Sequence, residues 1–161
     1  MAANSNWQRW TYATYTKSLL ADVPSTPMSI EFFNPKRTPA GENATTNAEV
    51  TISGPRTRRL SPHSHVVFVD VFVVVTSNIQ SNNYGHLTVV GNFEVALEKC
   101  FAVMDYGSEI GDTGLVEVGL LRLRSVTEDA EGIDVTHLKP AKDDTQIHTT
   151  LLARYSGRFR S

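Results

Sequence analysis

Cysteine is almost missing from this chain. Cys100 stands alone among 161 residues, so no internal disulfide can form. Lysine is scarce as well, with five against ten arginines. Arginine suits planar, bidentate interface contacts better than lysine does, although high-GC coding produces the same bias. No apolar run approaches the ~20 residues of a membrane helix, and the longest, 66–75, carries Asp70 in its middle. No basic region followed by an apolar stretch opens the chain, so the reading is a soluble protein without a signal peptide, made in a cytoplasm. Neither sign of charge dominates. At a net −2, whole-chain electrostatics argue neither for nor against nucleic acid or membrane. Repeats and internal boundaries are absent too, which predicts one domain, 1–161, large enough to bury a core.

Motifs that carry chemistry are equally sparse. His63 and His65 share a strand face if 63–65 is extended, but a zinc site needs a third ligand, and nothing places His137 or His148 beside them. Two solvated histidines in a turn are expected instead. The carboxylates of 128–131 and 143–144 fall in polar turns, whereas catalytic pairs need dissimilar, partly buried settings. Gly107, Gly111 and Gly114 lack the lysine and the strand–loop–helix context of a phosphate loop. No nucleophile elbow or papain-like cysteine context exists. Neither an enzyme nor a cofactor is expected. Arg56, Arg58 and Arg59, with Arg154, Arg158 and Arg160, form two basic sets. Alternation puts Tyr155 and Phe159 on the face opposite the second set, whereas stacking platforms need cations and aromatics together. Asn43 opens a glycosylation sequon, read as chance for want of a secretion signal.

What the chain has is valine. Every odd position from Val67 to Val75 is valine, and the even ones run Val66, Phe68, Asp70, Phe72, Val74. Side chains alternate across a strand. This strand is therefore apolar on both faces, where a sheet covered on one side alternates apolar with polar. Either two layers of its own chain cover it, or its second face meets another subunit. Asp70, flanked by apolar residues, needs a partner if buried, and Arg122, Arg124 and Arg154 are candidates. An intersubunit salt bridge, an internal ion pair and an acidic pore lining are all open.

Around this strand the pattern predicts few helices. Residues 7–20 read as a helix with Ser5 and Gln8 as a capping box and Pro24 and Pro27 as its stop; a strand reading competes, since threonine and tyrosine are weak helix formers. A short strand, 28–33, precedes a long extended arm, 34–47, with no apolar residue larger than alanine. The strand 48–54 alternates cleanly and is broken by Gly54-Pro55. A basic turn at Arg56, Arg58 and Arg59 follows, then the strand 65–76 and a polar loop. The span 84–104 reads as one helix with a wide apolar face. It packs Cys100 as an inert thiol and brings Gly91 close to the sheet. Strands at 115–124 and 133–138 flank an acidic turn, 125–132. The last strand, 145–159, exceeds the usual length, so either projection beyond the domain body or a bulge at Gly157 is expected. The fold class is α+β: a mainly antiparallel sheet with about two helices packed on one face.

Several pieces together resemble the tail-terminator and neck (head–tail joining) proteins of tailed bacteriophages. These are Trp7-Gln-Arg-Trp10 and the helix after it, the strand pair ending at Gly54-Pro55, the long apolar strand followed by one helix, Ile133-Asp-Val-Thr-His-Leu138, and Ala153-Arg-Tyr-Ser-Gly157 within the last strand. The resemblance implies a virion protein made in the host cytoplasm. It would form a ring, a homohexamer, that caps the tail tube and meets the head connector, with tail tube and neck proteins as partners. DNA would pass through the lumen without specific binding, and the lumen would be neutral or repel phosphate. The expected interface is one face of the valine strand, the arm and the basic segment: Phe68, Asp70, Phe72, Pro35, Lys36, Arg37, Arg56, Arg58 and Arg59. A tail-tube or capsid decoration protein, and a ligand-binding domain unrelated to phage with an enclosed apolar pocket, are the alternatives.

Overall fold

The valine strand lies in the middle of a seven-stranded sheet. The computed structural model describes residues 2–32, 46–78, 83–105, 116–127, 130–138 and 146–160. Helix α1 (Ala2–Asp22) leads into β1 (Met28–Phe32). Then follow β2 (Thr46–Ser61), β3 (Ser64–Asn78), α2 (Asn83–Leu97), β4 (Phe101–Met104), β5 (Glu117–Leu123), β6 (Ser125–Thr127), β7 (Ala130–Glu131), β8 (Ile133–Leu138) and β9 (Gln146–Arg160). The sheet order is β1-β2-β3-β9-β5-β4, with β8 also pairing β9, and β6 and β7 make a separate ribbon. β1 runs parallel to β2 and the other pairs are antiparallel, so the sheet is mixed. The α+β class holds in this coarser form.

β3 and β9 pair without a register shift from Ser64↔Arg160 to Asn78↔Gln146. The other edge of β9 is shared, with β5 on residues 155–159 and β8 on 148–153. That division of labour explains the length of β9. Its Gly157 carries no bulge. A Cβ there would stand 2.1 Å from the Leu120 carbonyl oxygen, so the glycine permits β5 to approach.

One face of the sheet, the inner face, is sealed by the helices. Val67, Val69, Val71, Val73 and Val75 are each 0% exposed, among Ile52, Leu121, Leu151, Tyr155 and Phe159. Burying a valine contributes about 1.5–3 kcal/mol. α1 packs on β2 and β4, and α2 on β3 and β9. α1 places Trp7, Thr11, Tyr15 and Leu19 inward at helical spacing. Tyr15 meets Phe101 and Tyr155, and Trp7 meets His65 and Phe159 edge-on. His65 is therefore packed, not solvated; of this pair it is His63 that is exposed, in the turn between β2 and β3.

Several expected boundaries move. α1 begins at Ala2, so Ser5 lies inside it and is no cap. α2 ends at Leu97, not 104. Phe101 and Val103 fit a strand period as well as a helical one, and β5 offers them partners, Phe101↔Leu121 and Val103↔Gly119. Cys100 falls in the connection and is exposed. Gly91 does not touch the sheet, since nothing lies within 4 Å of a Cβ there. The acidic 125–132 segment carries the β6–β7 ribbon. Thr46 and Asn47, assigned to the arm, belong to β2; residues 34–45, with Pro35, Lys36 and Arg37, lie outside the described residues.

Candidate functional site: the outer sheet face

Gly54-Pro55 does not end the strand. β2 continues past it through a bulge between Ser53↔Asp70 and Arg56↔Phe68. Gly54 sits at φ 111°, a conformation open to glycine, and proline is at home in a bulge. The extra residue flips the parity of everything after it. Without it Arg56 and Arg58 would share the side of Ile52, in the core. With it they stand opposite Phe68 and Val66, on the face the helices leave uncovered. The expected basic turn is thus a length of strand that delivers two arginines to the outer face. Arg59, opposite His65, belongs to the other side and bonds the Ser61 carbonyl.

Five of the expected interface residues converge there: Arg56, Arg58, Phe68, Asp70 and Phe72. Asp70 accepts from Arg56 at 3.0 Å and from Arg124 at 3.5 Å, an ion pair within the chain. Arg124 was among the candidates for this role; Arg56 was not, because its side depends on the bulge. Half-buried Asp70 and the 64%-exposed Arg56 form a water-screened pair, worth well under ~1 kcal/mol. Arg124 also lies over the Phe68 ring, 5.0 Å from its centroid. Phe72 is 39% exposed, while Val66, Val74 and Leu152 are half-buried. The valine strand's second face is therefore only partly covered by the described residues.

The register brings more arginines to this face than spacing alone suggested. Row by row, Arg56 lies with Phe68, Ser156 and Arg122, Arg58 with Val66, Arg158 and Leu120, and Arg154 with Asp70. Arg160 pairs Ser64 at the end. Arg124 donates its backbone N–H to the Arg154 carbonyl. All seven occupy one half of the face. Glu49 and Asp134 lie in the other half with Thr51, Phe72 and Leu152. An open groove of about 1000 Å³ lies at the basic end, lined among others by His63, Ser64, Glu117, Arg122, Ser156, Arg158 and Arg160. The net charge of −2 conceals this segregation. Tyr155 and Phe159 do face the core, but Phe68 puts an aromatic ring beside the cations.

A second polar cluster is internal. His86 Nδ1 meets Ser77 Oγ and its Nε2 meets Thr149 Oγ1, both at 2.7 Å. Ser77 continues to Thr46 at 2.7 Å, and Thr149 to His137 Nδ1 at 2.9 Å. The chain of bonds ties α2 to β2, β3, β9 and β8. Burial lowers the His86 pKa from its ordinary 6.5, and the nearby His137 and His148 lower it further. Residue order holds no sign of it beyond a histidine on an apolar helix face. Among the described residues, no three His, Cys, Asp or Glu side chains are grouped to hold a metal ion, and no helix is long and apolar enough to cross a membrane.

No protein-family profile matches the chain, and no curated protein matches it. Several solved chains match, and one of them, which bears no functional name, is similar at TM-score 0.51 and 16% identity. The likeness covers 94% of this chain and 96% of that one. At that identity it shows the fold alone.

Proposed function

We propose that the protein is a ring-forming virion component of the tail-terminator or neck type, acting by shape and interface rather than by chemistry. One observation carries this reading: two unlike apolar surfaces on opposite layers are left uncovered by the described residues. On the sheet side Phe72 and Leu138 are 39% and 47% exposed; on α2, Tyr84, Leu87 and Val95 are 77%, 55% and 66% exposed at helical spacing. A closed ring needs a patch on one copy that meets a different patch on the next. Exposed apolar side chains grouped on one face can mark an interaction site. The order of elements, with the doubly apolar strand followed by a single helix, supports the resemblance to terminator proteins. The groove at the basic end is open, with arginine and serine in its lining, unlike the enclosed apolar pocket of a ligand-binding domain.

The test is negative-stain microscopy and sedimentation of the purified protein at rising concentration, with Phe72→Asp and Val95→Asp as variants. Closed rings of one diameter, lost in either variant, support the reading. Long tubes favour the tail-tube alternative. A protein that stays monomeric at all concentrations, with Phe72 and Val95 open to solvent labelling, refutes the interface argument. Capsid and tail-tube genes beside its own would independently support a virion role.

A further inference from the structure

We propose that the basic half of the outer face binds the phosphodiester backbone of a nucleic acid without sequence preference. Seven of the chain's ten arginines gather there. Asp70 neutralises part of the Arg56 and Arg124 charge. Arg58, Arg122, Arg154, Arg158 and Arg160 have no carboxylate partner among the described residues. The described lysines, Lys17 and Lys99, lie elsewhere, on α1 and just after α2.

The groove collects the donor set that phosphate oxygens take. Arg122, Arg158 and Arg160 stand with the hydroxyls of Ser61, Ser64 and Ser156 and the imidazole of His63. Among the described residues, Glu117 is the one carboxylate in the lining. Cations on alternate residues of a strand repeat every ~7 Å, and neighbouring strands lie ~4.8 Å apart. The rows therefore present a grid of positive charge rather than a point site, which matches a polyanion better than a single small anion. Phe68 beneath Arg124 adds flat apolar surface within the same half, as in sequence-tolerant single-strand binders. An acidic protein surface is the competing occupant. It would use the arginines but has less need of a hydroxyl-lined groove, since carboxylates find enough donors in the guanidinium groups alone. This inference stands or falls separately from the ring reading.

The test is fluorescence anisotropy with a labelled 20-base-pair duplex and a 20-nucleotide single strand at 50 and 200 mM NaCl, with labelled polyglutamate as a parallel probe. About four phosphate contacts, from Arg58, Arg122, Arg158 and Arg160, predict a log–log salt slope near −3.6 for duplex and near −2.8 for single strand. For duplex that is a loss of roughly 150-fold between the two salts. Arg158→Glu with Arg160→Glu should abolish binding at 200 mM NaCl. The milder Arg122→Gln with Arg160→Gln should weaken it and flatten the slope by about two. Lys17→Glu, on the helix layer, should leave it unchanged. Absence of binding at 50 mM NaCl overturns the proposal, as does binding that survives the arginine variants in folded protein. Capture of polyglutamate but of neither nucleic acid assigns the face to an acidic protein and overturns it as well.

Discussion

Gly91→Ala and Gly157→Ala are one chemical change with opposite expected outcomes. Gly91 lies inside α2, and open space surrounds the position of its missing Cβ. Alanine there fits without contact and removes the unfolded-state freedom of glycine, a gain of about 1 kcal/mol. Gly157 lies where β9 is pinned between β3 and β5, at Val67↔Gly157↔Leu121. Its Cβ would stand 2.1 Å from the Leu120 oxygen and 2.9 Å from the Leu120 carbonyl carbon. A carbon and an oxygen approach to about 3.3 Å, so the two strands must part by roughly 1 Å along a hydrogen-bonded ladder. Overpacking of this kind costs about 1–3 kcal/mol or more. In a chain of this size 1 kcal/mol moves the melting temperature by about 2–4 °C. Thermal denaturation followed by circular dichroism should show Gly91→Ala melting ~2–4 °C higher and Gly157→Ala ~2–12 °C lower than the native chain. Urea unfolding should give the same signs. If Gly157→Ala melts within about 1 °C of the native protein, the close approach of β5 to β9 is wrong, and with it the register that builds the outer face.

His86 should make stability depend on pH. Its folded pKa lies below 6.5, so the unfolded chain takes up the proton first; stability is full above about pH 6.5 and falls as the pH drops below it, by at most about 1.4 kcal/mol per unit. Urea midpoints from pH 7.5 to 5 should show a slope that His86→Gln reduces, and equal profiles would remove His86 as the cause. The two buried tyrosines should also differ. Tyr155 donates its hydroxyl to the Leu97 carbonyl, whereas the Tyr15 hydroxyl is buried with no partner. Tyr155→Phe should destabilise by about 1 kcal/mol and Tyr15→Phe should be neutral or stabilising; equal losses in denaturant titrations would contradict the assignment. Phe72→Asp, on an uncovered surface, should leave monomer stability within about 0.5 kcal/mol while abolishing self-association. A collapse of stability would mean that its own chain already covers that ring.

Much of the fold is legible in residue order. Strict alternation in 66–75 and 146–160 needs no tertiary information, because the side-chain period of a strand is two whatever it pairs with. The capacity of α1 to bury Trp7, Tyr15 and Leu19 is legible for the same kind of reason, as is its stop before Pro24. The four residues 101–104 were not legible, because a segment that short satisfies both periods and only the free edge of β5 decides between them. Cys100 changed from packed to exposed with that one decision.

The amino-acid order alone determined that a doubly apolar ribbon runs through this protein and that arginine outnumbers lysine ten to five. It also determined that one acidic side chain, Asp70, interrupts the ribbon. Only the tertiary structure decided which arginines stand together. A single inserted residue at Gly54-Pro55 reverses the side of Arg56 and Arg58, and pairing across β3, β9 and β5 joins residues up to a hundred positions apart into one basic face. Periodicity within a strand fixes which residues share a side. Register between strands, set by long-range packing and by a bulge, fixes which sides meet.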